Sequence, residues 1–149
     1  PKGAKVWLGP WSGPFFVNAL AKTAGRSNLN THPTFIGDTT MSMDTDRIRA
    51  LNDQLRRDLT GGRAVMTPGI AALGSQAVQR LVQTIVTYDD FCTANDPHGE
   101  HDLGAFEFDG TPVMFKIDYY DKDLNFHSPD PADPTVTERV ITLMLATEY

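Results

Sequence analysis

Cysteine is almost absent from this chain: Cys92 stands alone, so no internal disulfide can form and a cysteine-based zinc site cannot be assembled. No stretch approaches the roughly 18 uninterrupted apolar residues of a membrane span. The N-terminus also lacks a charged region leading into a compact apolar run and a cleavage site. Together these absences predict a soluble, cytoplasmic protein that is not exported and has no membrane partner. Internal repeats and low-complexity tracts are missing too, as are a nucleophile elbow, a phosphate-binding glycine loop and any established metal-ligand spacing.

Cations are scarce where the acids gather. The formal charge is −6, yet residues 1–43 hold Lys2, Lys5, Lys22 and Arg26 against Asp38 alone. Residues 89–133, by contrast, hold twelve acids against Lys116 and Lys122, a local charge of −10. Affinity for nucleic acid comes largely from cations that release condensed counterions. The acidic half is therefore not expected to bind nucleic acid directly.

A chain of 149 residues fits one domain and can bury one core. The first forty residues carry Pro1, Pro10, Pro14 and Pro33, five glycines and apolar clumps without a sustained period. They read as an irregular arm over 1–43, with a short helix at 15–24 ended by Gly25 and with Trp7 and Trp11 as anchors to a surface. Such an aromatic arm could support a homodimer. Met41-Ser42-Met43 then has the look of a native start, which would make the arm an extension of a single domain over 44–149.

Within that domain Ile48, Leu55 and Leu59 recur with Leu51 at helical spacing, behind Asp44 or Thr45 as cap and ahead of Gly61-Gly62. Arg47, Arg49, Arg56 and Arg57 fall on the opposite side, interleaved with Asp46, Asp53 and Asp58 as a solvated face. Residues 63–67 read as a strand stopped by Pro68-Gly69. Ser75 caps a second helix that ends near Phe91, with Val78, Leu81, Val82, Ile85 and Val86 buried. Cys92, beside Phe91, is expected as a small buried side chain.

Asp109-Gly110 between LGAFEF and TPVMFKIDYY is a strong hairpin signal. With those two as the loop, Phe108 faces Thr111, Phe106 faces Val113 and Gly104 faces Phe115. Phe106, Phe108, Val113, Phe115, Ile117 and Tyr119 then form a core face. His101, Leu103, Glu107, Met114, Lys116, Asp118 and Tyr120 share the other, with His101 across from Asp118. A last helix is predicted after Asp133-Pro134, with Thr135 and Glu138 as a capping box and Val136, Val140, Leu143 and Met144 inward. The fold class is α+β: a small antiparallel sheet built on the C-terminal-half hairpin, with about three helices packed against it.

The run NDPHGEHDLGAFEFDG, with KIDYYDKDL and DPADPTVTERVITLMLATEY, resembles an uncharacterised bacterial domain-of-unknown-function family with an NDPxGEHD(F/L)GxF…KIDYYD…DPADP core. The resemblance spans roughly residues 45–149 and implies a bacterial source, frequently with plasmids or other mobile elements. It implies no activity, cofactor or catalytic residue. An aromatic residue often stands in that family where this chain has His98, which argues against an essential role for His98.

Two functions fit these residues. In the first, the domain is a non-enzymatic interaction module without a cofactor. Glu100, His101, Glu107, Asp118, Tyr120, Asp121 and Asp123 then meet a basic protein surface, for a mobile-element protein that of a host nucleic-acid-handling enzyme inhibited by imitation of nucleic-acid charge. In the second, His101, Asp102 and Asp118 ligate a divalent metal ion in a nuclease-like hydrolase, with Lys116 and Glu107 as catalytic groups. The order Lys116-Ile117-Asp118 inverts a common nuclease motif. A third, bland reading has Asn95, Asp96 and Gly99 shaping a turn while His101 and Asp118 pair across strands.

Overall fold

The computed structural model describes residues 6–7 and 39–149, with side chains from Met43 onward. Of the expected irregular arm, Val6–Trp7 is a strand paired antiparallel with residues 65–66, and residues 39–43 belong to a helix. The short helix expected at 15–24 lies outside the described residues, and the tryptophan contacts lie outside the described side chains. In chain order the elements are strand β1 (Val6–Trp7), helix α1 (Thr39–Asp58), strand β2 (Gly62–Met66), helix α2 (Pro68–Ala71), helix α3 (Ser75–Thr87) and strands β3 (Leu103–Phe108), β4 (Thr111–Tyr120) and β5 (Glu138–Leu145). A turn of 3-10 helix, Ala146–Glu148, follows β5. Among the described residues no helix is long and apolar enough to cross a membrane.

The fold is α+β, with one sheet in the order β1-β2-β5-β4-β3. Its hairpin follows the expected register: Phe108 opposes Thr111, Phe106 opposes Val113 and Gly104 opposes Phe115. Asp109 (φ 49°) and Gly110 (φ 76°) are both left-handed, as a two-residue turn matched to strand twist requires. Gly104 lets the sheet close on its helices, because a Cβ there would stand 2.3 Å from the Phe115 ring and 2.8 Å from that of Tyr88. Arg80 of α3 forks onto the Asp109 carboxylate and ties the turn to the helix layer.

The predicted C-terminal helix is instead β5, the strand on which the sheet is assembled. It pairs antiparallel with β4 along eight residues and parallel with β2, making the sheet mixed. Arg139 to Met144 are all buried, and a strand buried on both faces has no alternation to betray it. Its Val, Ile and Thr content favours the extended form once neighbours exist on both sides. The residues expected to cap a helix shape a turn: the Asp133 carboxylate accepts the Thr135 amide and hydroxyl.

Smaller differences have local causes. Helix α1 starts at Thr39, since nothing between Thr39 and Met43 breaks a helix. Pro68 opens α2 instead of merely stopping β2, Pro being favourable in a first turn. Helix α3 ends at Thr87, leaving Cys92 exposed in the following loop.

One face of the sheet carries the main core. Phe108, Val113, Phe115, Ile117, Ile141 and Leu143 meet Leu55 of α1, Ile70 of α2 and Val78, Leu81, Val82 and Ile85 of α3. Each such side chain contributes about 1.5–3 kcal/mol by leaving water. The second face is less polar than its alternation suggests, because Val65, Met114, Val140, Thr142 and Met144 are buried there as well.

Candidate functional site

Helix α1 buries two polar residues in its apolar stripe. Spacing near 3.6 puts Asn52 and Arg56 beside Ile48 and Leu55, and both are 0% exposed. Arg56, expected on a solvated face, sends one guanidinium nitrogen to the carbonyls of Ile85 (2.7 Å), Val86 (3.3 Å) and Tyr88 (2.8 Å). It thereby caps the C-terminus of α3, where carbonyls lack helical partners. Its second nitrogen donates to Asp53 at 2.9 Å, and the guanidinium lies 5.3 Å from the centre of the Phe91 ring.

Asn52 reaches the other way. Its amide donates to the Glu100 carbonyl (2.9 Å) and the Tyr119 hydroxyl (2.7 Å), while its oxygen accepts from Arg139 at 3.2 Å. The Tyr119 hydroxyl donates onward to the Glu100 carboxylate at 2.9 Å, and Arg139 also donates to the Pro131 carbonyl. Burial, with the Glu100 charge adding to it, pushes the Tyr119 phenol far above its usual range, so it stays a neutral donor. Burial draws Arg139 down from the ordinary arginine value. Two facing loops and the central strands are thus tied to α1 by one polar network.

The loop between α3 and β3 is a built turn. Asp96, almost wholly buried, accepts the amides of Glu100 (2.8 Å) and His101 (3.1 Å). Asn95 accepts the Cys92 amide and donates to the Asp90 carbonyl and the Tyr88 hydroxyl. His101 (φ 57°) leaves the strand alternation at this point, which turns its ring to the helix side. There it stacks flat on Phe91 at 3.8 Å, with Nδ1 3.0 Å from Asp53 and Nε2 3.9 Å from Asp96. Burial raises the Asp53 carboxyl, but hydrogen bonds and charge from Arg56 and His101 outweigh it and hold the group below the usual range. Asp102 is pushed up, first by burial and then by the Glu100 charge.

His101 therefore pairs with Asp53, not with Asp118 across the strands. Asp118 and Lys116 lie on the second face, bonded to each other at 2.8 Å, and that ion pair holds the lysine above its usual value. Successive residues of a strand point to opposite faces, so Asp118 is on the far side of the sheet from Tyr119 and its neighbours. The four groups of the hydrolase reading, His101, Asp102, Lys116 and Asp118, do not converge. Among the described residues no group of three or more His, Cys, Asp or Glu side chains is arranged to hold a metal ion. Glu107 is exposed on edge strand β3, away from both sets.

The candidate docking residues divide likewise. Glu100 and His101 are engaged on the helix side. Tyr120, on the second face, stacks with His127 at 6.4 Å and 4°. Asp121 organises the loop after β4, accepting the Asn125 (2.9 Å) and Phe126 (3.2 Å) amides. Asp123 and His98 are exposed. A shallow open depression of about 370 Å³ runs along α1 beside Asp53, lined also by Ala50, Gln54, Arg57 and Asp58. No other candidate residue reaches it.

Sequence reasoning missed Asn52, Asp53, Arg56, Phe91 and Arg139. A signal for two of them existed: an Asn and an Arg four apart interrupt the stripe that Ile48 and Leu55 define.

The family described as "Protein of unknown function (DUF3768)" matches residues 66–148, and the chain belongs to it. No curated protein and no solved structure matches the chain. The matched segment holds α2, α3, the hairpin, β5 and every catalytic, metal-ligating and acidic docking candidate named from the sequence. Helix α1 lies before it.

Proposed function

We propose, from that membership and this geometry, that the domain is a protein-docking module whose acidic loops and hairpin bind a basic protein surface without catalysing a reaction. The observation behind this reading is the employment of the carboxylates in residues 89–133. Asp121, Asp130 and Asp133 each accept backbone amides of their own turns. Their charge is thus built into ordered surface turns and is not gathered around a cleft. Negative charge on pre-organised turns steers a cationic partner with little ordering cost on binding. Exposed Glu107 and Asp123 add to the same field. The mobile-element setting that the family resemblance implies suggests a nucleic-acid-handling enzyme as the partner, its cationic surface occupied by imitation of nucleic-acid charge.

The test is calorimetric titration of the full chain with a synthetic peptide of alternating arginine and serine, at low and physiological salt. Saturable binding is expected, weaker at higher salt and lost when Glu107→Gln, Asp118→Asn, Asp121→Asn and Asp123→Asn are combined. Absence of binding, or binding that survives the combined substitution, overturns the reading.

A further inference from the structure

Among the described residues four large apolar side chains stand exposed, and two of them, Leu124 (38%) and Phe126 (75%), share the loop after β4. One exposed apolar side chain is ordinary. A pair displayed by a braced loop is a different matter, because ordering a loop costs entropy that exposed side chains do not repay.

The bracing is extensive. Asp121 grips the Asn125 and Phe126 amides with its carboxylate, while its own amide donates to the Phe126 carbonyl at 2.9 Å. The Leu124 amide donates to the Asp121 carbonyl at 3.0 Å, and the Ser128 amide to the Tyr119 carbonyl at 3.2 Å. At the base Tyr120 and His127 pair as a bridge and stack their rings. Leu124 sits at φ 59°, where a branched L side chain is strained and Gly or Asn would serve better. The strain leaves Leu124 38% exposed and outside the side chains packed on the main core, a pattern in which strain points to function.

We propose that Leu124 and Phe126 are the apolar anchor of the docking surface and insert into an apolar pocket rimmed by lysine or arginine on a partner protein. This inference rests on the docking reading above. Charge identifies the rim: Asp121 and Asp123 immediately precede the pair, and exposed Asp130 follows it by four residues. Lys122, the one cation of residues 121–133, is drawn away to the Thr137 carbonyl at 2.8 Å and lies 3.7 Å from Glu138. An aromatic anchor on a pre-organised loop concentrates binding energy in one position. A second copy of the chain would bring a second acidic loop, a mismatched occupant.

Two peptides of equal charge test the anchor: the arginine-serine peptide, and one in which tryptophan and leucine replace the serines on one side. Against the full chain the apolar peptide is expected to bind about tenfold tighter. Phe126→Ser should erase that preference and leave the arginine-serine affinity unchanged; Leu124→Ser should reduce it. The anchor is refuted if the preference is absent or persists in Phe126→Ser. If the arginine-serine peptide binds normally in that case, the docking reading survives; if neither peptide binds wild type, both fall. Self-association of wild type that Phe126→Ser abolishes in sedimentation would make a second copy the occupant and overturn the basic partner. Unchanged circular dichroism for each variant excludes misfolding.

Discussion

Two regions rich in aspartate and aromatic residues use them in opposite ways. Beneath α1, Asp53 and Asp96 hold His101, Arg56 and backbone amides inside the molecule, and the aromatic rings of Phe91 and Tyr119 lie over arginine or histidine. After β4, Asp121 builds a turn of the same kind, but it carries Phe126 at 75% and Leu124 at 38% exposure. The same chemistry closes an interior in one place and displays a surface in the other. Stability should therefore respond to substitutions in the first region, and binding to those in the second.

The largest effect is expected at Arg56. Arg56→Ala takes one donor from three carbonyls at the end of α3, of which Ile85 keeps the Tyr88 amide, and removes a buried partner of Asp53. Breaking one member of such a buried set costs about 3–5 kcal/mol, read as a lower urea midpoint at unchanged m. Asn52→Ala should cost less, about 1–3 kcal/mol, because Tyr119 and Arg139 each lose a partner yet keep a second one. If both variants unfold like wild type, the network is incidental and the comparison collapses.

Acid titration sharpens the contrast. The folded Asp53 value lies below its unfolded value, near 3.8. Its contribution is complete above the unfolded value and is lost as pH falls through the folded one. Asp53→Asn should lower stability at neutral pH and flatten the loss below about pH 4 in a thermal-melt series. Asp102 carries the opposite sign. Its raised folded value means that ionisation opposes folding, so stability from this group grows as pH falls through that value. Asp102→Asn should therefore melt higher than wild type at neutral pH. A lower melting temperature would assign Asp102 a favourable partner in the fold.

How far these regions were legible in the sequence follows from how local their causes are. The hairpin could be read to the residue pair, because Asp109-Gly110 sets a turn type and the turn sets the register. The stripe of α3 could be read because its polar face is uninterrupted. Strand β5 could not: burial on both faces erases its period, and its pairing with β2 joins segments 77 residues apart at Gly62 and Arg139. The site was half legible. Asp96 and Asn95 announced a turn, and Tyr119 and Tyr120 took opposite faces as alternation requires. The place of His101 depends on one left-handed residue, and its partner Asp53 comes from a helix 48 positions earlier. A hairpin register extended to His101 therefore placed it on the wrong face, and the metal set built on that register came apart.

The smallest effects belong to the displayed loop, and their signs carry the argument. Phe126→Ser should leave stability within about 0.5 kcal/mol of wild type, as for a surface residue outside packing or capping, in contrast to Arg56→Ala. Leu124→Asn is more informative. Asn tolerates the left-handed conformation that strains Leu124, so relief should raise stability by up to about 1 kcal/mol in urea unfolding. On the docking proposal, a strained leucine kept 38% exposed where asparagine would fold better is kept for contact with a partner. If Leu124→Asn instead loses stability, Leu124 belongs to the loop's own packing, and the two regions differ only in exposure, not in purpose.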